Sequence, residues 1–464
     1  MKKTVSIYIL LFISLFISSC SEDKSLISDP FVVAFEGLST NIVNIENQKN
    51  IPLVYSETTF ETGYVAIQIN ASNANYGTDF TTIPEAINNV ISLPINANES
   101  SNTIVFNKHN QFLDETTEIE FSITSIDYVN SNIQGNTNFI LNASASLGGR
   151  IEPEVGGPNE GNQVFIDLSS DTSTFVQRDS WDLGFYGGDE FRVAINGTIY
   201  MAATELDFTD IDAVSQINVS ALQSQVAVGT FNPANEAYID APNGNILETA
   251  ITEVSDVDEE NKVYLVNLGY EIGTATPTTG SVAISGNTRG WKKIRVLKTG
   301  NDYVLQYADI DATTHQEVTI SKDASYNFSF FSFNTNKIVD VEPEKERWDI
   351  SFTVFTNVIT GAGSYGYSDF VIHNRKGGAE TYMLETSVSS YADFNLSLVD
   401  ENLFLEDQTV IGANWRDVFS GTSNNDRFFI LKDPNGNIYK IKFLALTDSN
   451  GERGYPEFEY ELLQ

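Results

Sequence analysis

The chain has 464 residues, a formal net charge of −37 and a 12% aromatic content. That length allows two or three domains with real cores, and the acidity excludes the basic footprint of a nucleic-acid binder while suiting an exported protein that must stay dispersed. A single cysteine excludes any intramolecular disulfide, so packing has to supply the stability.

The chain begins with Met1-Lys2-Lys3, an apolar run from Val5 to Ile17, and Ser18-Ser19-Cys20. A charged start, an apolar stretch and small residues before a processing point make an export signal. The run is too short to span a bilayer comfortably. A cysteine at that place resembles the lipobox of bacterial lipoproteins. The resemblance implies removal of a signal peptide (1–20), with Cys20 acylated so that the lipid bilayer holds the mature chain. The alternatives are a transmembrane anchor or an ordinary buried cysteine. Ser21-Glu22-Asp23 resembles the acidic signal of surface lipoproteins of Bacteroidetes, which implies an outer-membrane protein exposed at the cell surface. Residues 21–30 read as a tether, and no later apolar run is long enough to cross a membrane.

From residue 31 to 147, short apolar runs alternate with polar residues, as in Phe31–Phe35, Gly63–Ile69 and Glu118–Ile123. Even spacing of this kind predicts an antiparallel sandwich. The Tyr76-Gly77-Thr78-Asp79-Phe80 turn, with Glu46 upstream, is similar to the Calx-β type of immunoglobulin-like domain. Some of those domains bind calcium, which takes several hard oxygen ligands. Glu46, Asp79, Asp114 and Glu115 are the candidate ligands; the plainer reading is turn residues and strand ends of a spacer. Gly148 to Pro158, rich in Gly, Pro and Glu, predicts a linker over 148–160.

An internal repeat follows, read as domains 161–311 and 312–464. Trp181-Asp182-Leu183-Gly184-Phe185 recurs as Trp348-Asp349-Ile350-Ser351-Phe352. Each copy opens on a strand-like run, Val164–Leu168 or Tyr326–Phe333, and closes on two more. A Trp is a large core anchor, and the Asp after it suits the cap of a tight turn. Asp433-Pro434-Asn435-Gly436-Asn437 predicts a hairpin turn. The fold class expected is all-β: an immunoglobulin-like sandwich, then two tandem antiparallel β domains.

The second copy resembles the HmuY family of haem-binding lipoproteins. Asn327–Val339, Trp348–Phe352, the closing strands around Asp433–Asn437 and Gly454–Tyr460 carry the likeness, which fits 161–311 more loosely. It implies an all-β carrier that binds haem or a related tetrapyrrole and passes it to a TonB-dependent outer-membrane receptor. Haem iron needs an axial His, Met, Tyr or Cys. The family's best-known member uses two histidines, one five residues after a Trp; here the comparable Trp415 is followed at that distance by Ser420, and the stretch from Ala392 to Gln408 has no His or Met. The remaining candidates are Met383 and His373, which flank Gly377-Gly378, with Tyr382 and Tyr367 to stack on or hydrogen-bond to a porphyrin, and Met201. No nucleophile elbow, zinc helix or phosphate loop occurs, so the expectation is a non-enzyme. The alternative function is a surface adhesion or binding lipoprotein that recognises a glycan or a protein without haem.

Overall fold

The computed structural model describes residues 30–45, 47–110, 113 and 116–463. The expected export signal with Cys20, and the candidate calcium ligands Glu46, Asp114 and Glu115, lie outside the described residues. Strands dominate, and Gln216–Val219 is the one α-helix among the described residues.

Period-two alternation builds the N-terminal part. Gly63–Ser72 turns Val65, Ile67 and Ile69 inward and its polar residues out. Two sheets form, Val33–Phe35/Gln48–Tyr55/Ser101–Lys108/Phe80–Ile83 and Ser39–Asn41/Asn138–Asn142/Glu118–Asp127/Gly63–Ser72/Val90–Ile95. Both sheets feed one core that includes Leu53, Phe106, Ile67 and Phe121. Lys49 ties this part to the rest by an ion pair to Asp171 at 2.7 Å, and Asp171 also accepts from the Tyr460 hydroxyl.

The repeat folds into two packed units, but the copies exchange strands. One unit joins the sheet Val193–Ile195/Leu183–Tyr186/Phe328–Ser332/Lys337–Val339 to the sheet Ala202–Leu206/Val263–Asn267/Trp291–Thr299/Asp302–Ala308/Gln316–Ser321. The other joins Thr172–Gln177/Asn162–Asp167/Ile350–Ile359/Gly363–His373 to Gly148–Ile151/Arg453–Leu462/Ile438–Thr447/Arg427–Lys432/Glu380–Glu385. The opening hairpin of each copy therefore sits in the sheet of the other. Val164, Ile166 and Leu168 are buried in the core around Phe352 and Phe443, whereas Phe331 and Phe333 are buried in the core around Leu183 and Tyr303. Gly148–Ile151, inside the stretch read as a linker, is an edge strand on Arg453–Leu462.

The Trp-Asp pairs explain the exchange. The Asp182 N–H donates to the Phe331 carbonyl, and its carboxylate accepts from the Phe333 N–H at 2.6 Å. The Asp349 N–H donates to the Ile166 carbonyl, and its carboxylate accepts from the Leu168 N–H at 2.7 Å. Each Asp thus clamps the opening strand of the other copy. Trp181 and Trp348 are core residues, each edge-on to a Phe of the opposite opening strand: Trp181 on Phe330 and Phe165 on Trp348. The hairpin turn at Asp433 is as the sequence predicts, with the carboxylate accepting from the Asn435 and Asn437 N–H groups.

A candidate ligand site at the seam between the two copies

The four rings Phe165, Trp181, Phe330 and Trp348 meet where the copies cross. Beside them lies a partly enclosed cavity of about 150 Å³. Ile195, Met201, Phe328 and Phe355 extend its apolar wall, and the segment Ile239–Ile246 of the first copy covers it. Gln408 and Arg375 of the second copy hold that cover by donating to the carbonyls of Pro242 and Asn243.

Its polar groups come from both copies. Asp240 accepts main-chain N–H groups of Ile195 and Ala250 at 2.9 and 2.8 Å. Glu342 accepts from the Phe328 N–H at 2.9 Å. Lys376 is aimed by a short turn, Arg375–Gly377, which Asn374 caps by accepting from the Gly377 N–H; Gly378, at φ +100°, ends it. The Lys376 ammonium lies 5.4 Å from the Phe328 ring centroid and forms no ion pair or hydrogen bond among the described residues. Burial pushes Asp240 up to about 6 and Glu342 up to about 7, and pushes Lys376 down to about 8. All three side chains are half-buried and line the cavity, and Lys376 also borders a second pocket beside Tyr186 and Tyr326.

The two tryptophans differ at one atom. Trp181 Nε1 donates to Gln163 at 3.3 Å, whereas Trp348 Nε1 is buried without a partner. The registers of the two clamps place Phe328 where the other copy has Gln163. The cavity therefore keeps an unpaired donor in Trp348 Nε1 beside the Lys376 ammonium, while both Asp240 oxygens and one Glu342 oxygen already accept main-chain N–H groups.

Of the candidate haem residues only Met201 and His373 line one cavity. Tyr382 and Met383 are neighbours on one strand and point to opposite faces. Tyr382 is buried against Phe404, and Met383 is exposed, its sulfur accepting from Arg427. Tyr367 packs on Tyr365 and Phe370. Met201 is fully buried between the first core and the cavity. His373 borders the cavity, but alternation turns its ring with Val371 and its cross-strand partner Ile350 towards the second core. Haem does not fit this cavity: drug-sized ligands already need roughly 300–1,000 Å³, and of the candidate donors only Met201 and His373 border it, His373 with its ring turned towards the core. Asp79 is a turn anchor, accepting from Asn75 and Asn110, which hold its carboxyl below the usual range. No group of three metal-ligating side chains occurs among the described residues.

His373 is fully buried, and neither ring nitrogen has a partner of good geometry. Burial drives it down to about 4, more than the nearby Glu406 main chain and Asp407 offset. The neutral ring is thus the folded form, so its stabilising contribution is full above about 6.5 and is lost as pH falls towards 4. The expected loss is about 3 kcal/mol on the scale of 1.4 kcal/mol per pKa unit. Asp240 and Glu342 titrate with the opposite sign in the same range, so the check is a difference. Urea denaturation from pH 7 to pH 4 should show this acid loss in the native chain and its absence in His373→Leu.

Residues 159–319 and 324–460 both match the family model described as HmuY protein, and together they span well over half of the chain. The chain belongs to the HmuY family. Membership supports a general role in handling haem and a protein that is not an enzyme. No curated protein matches this HmuY-family chain. Among solved structures it is similar to the apo-form Calx CBD1 domain at 12% identity and TM-score 0.20, covering 25% of this chain and 97% of that one. It is also similar to a putative carbohydrate binding protein from Bacteroides ovatus ATCC 8483 at 10% identity and TM-score 0.16, covering 74% of this chain and 97% of that one.

Lys376, Asp240, Glu342 and Gln408 carry no motif in the sequence, and Trp348 stands out there only as a core anchor. One signal was present: aligning the two copies on their Trp-Asp pairs sets Phe328 against Gln163 and exposes the odd indole.

Proposed function

We propose that this HmuY-family protein is a non-catalytic binding lipoprotein that captures a ligand outside the cytoplasm, with the seam cavity as its seat. The observation that carries this reading is the cavity itself: aromatic walls from both copies surround polar groups left without partners. In this reading acylated Cys20 tethers the chain at the cell surface, and the Calx-β-like, immunoglobulin-like segment 31–147 lifts the two HmuY-like domains off the membrane.

The second reading is a carrier of haem or a related tetrapyrrole that serves a TonB-dependent outer-membrane receptor. It is favoured by the family match over both copies. Titration of the protein starting at Ser21 with haem separates the two. The expected visible spectra, oxidised and reduced, are those of free haem. A saturable, shifted Soret band that disappears in Met383→Leu or His373→Leu would instead establish haem carriage and name its ligand.

A further inference from the structure

We propose that the seam cavity takes a compact ring-bearing carboxylic acid, one aromatic ring with a short acidic arm, held by the Trp348 indole N–H and the Lys376 ammonium. The proposal rests on the reading of the cavity as the ligand seat.

Size sets the first limit. An apolar cavity of 150 Å³ holds a benzene-sized guest, and the cavity here has about that volume. The walls set the second: Phe165, Trp181, Phe330 and Trp348 offer ring faces and edges to a flat guest. The free polar atoms set the third. A buried donor without a partner is costly, and Trp348 Nε1 is one. The Lys376 ammonium adds up to three donors in the same space and has no direct partner. Both Asp240 oxygens and one Glu342 oxygen accept main-chain N–H groups, and the two carboxyls stand near enough to Lys376 to favour its charge. The unpaired indole N–H and the ammonium call for a guest that brings acceptors, and a carboxylate brings two oxygens and a counter-charge for Lys376. The first copy shows what happens otherwise: there Gln163 occupies the indole N–H, and the Trp181 side carries no free donor.

The test is calorimetric titration of phenylacetate into the protein starting at Ser21, with benzyl alcohol and toluene as neutral rings of the same size. One saturable site is expected for phenylacetate. Lys376→Met and Trp348→Phe should each weaken it about tenfold or more, the factor for losing a hydrogen bond to a charged group, and Lys376→Met should leave benzyl alcohol binding unchanged. Phe328→Gln places in the second copy the side chain that satisfies the first. It should raise the thermal midpoint and weaken phenylacetate together, and it keeps the test valid if Trp348→Phe fails to fold. Neutral rings binding as tightly as phenylacetate, with no effect of Lys376→Met, would overturn the acid class and leave the seat standing. Binding of none of the three would remove the seat itself, and this proposal with it.

Discussion

Expressed alone, the segment 312–464 is expected not to form a stable monomer. It would lack the opening strand Asn162–Asp167, which pairs with Ile350–Ile359, and the edge strand Gly148–Ile151 on Arg453–Leu462. Val164, Ile166 and Leu168 alone are fully buried in that core, and each contributes ~1.5–3 kcal/mol. Their combined loss approaches the ~5–15 kcal/mol that a whole domain retains. The segment would also carry Gln316–Ser321 and Phe328–Ser332 with no sheet to receive them. Size-exclusion chromatography with light scattering should show aggregate, or a dimer made by reciprocal exchange, and adding the segment 21–311 should restore a 1:1 complex. A well-folded monomer with dispersed amide resonances would refute the exchange.

The two Asp residues of the repeat are expected to respond oppositely to one substitution. Asp182→Asn should cost about 3–5 kcal/mol, because it leaves a buried cation without its counter-charge. Arg289 reaches Asp182 at 2.6 Å, and both side chains are almost wholly buried. Asp349→Asn should cost about 1 kcal/mol or less, since an amide oxygen still accepts from the Leu168 N–H. Asp349 has no basic partner; burial, then Asp167 and Asp433, hold its carboxyl well above the usual range. A raised carboxyl stabilises the fold below its unfolded value and loses that contribution as pH rises through its folded value. Denaturation at pH 7 measures both variants, and the gap between native protein and Asp349→Asn should widen on acidification, since only the native carboxyl gains stability as it protonates. Equal costs for the two substitutions would contradict the asymmetry.

Much of the fold was legible because strand alternation is local. The Val65-Ile67-Ile69 face, the Asp433 turn and the Trp-Asp anchors each follow from neighbours a few residues apart. The repeat was legible for the same reason, as two short runs of like side chains. The strand exchange was not. Ile166 and Phe331 look alike in sequence, and either would satisfy either sheet; only the register of the Asp182 and Asp349 clamps decides which copy receives which hairpin.

The candidate site divides in the same way. His373 and Met383 drew notice as donor types near two glycines, but donor type says nothing of direction. His373 turns into a core and Met383 turns to solvent, because alternation along their strands assigns the faces. Lys376, Asp240 and Glu342 lie far apart in the chain, and the cavity between them exists only where two sheets cross. By itself the sequence determined the β class, the tandem repeat, its family and the two tryptophan anchors, because each depends on local pattern. Only the tertiary structure decided which strands pair and where a ligand has room, because those follow from contacts such as Asp182–Phe333 and Asp349–Leu168, more than a hundred positions apart.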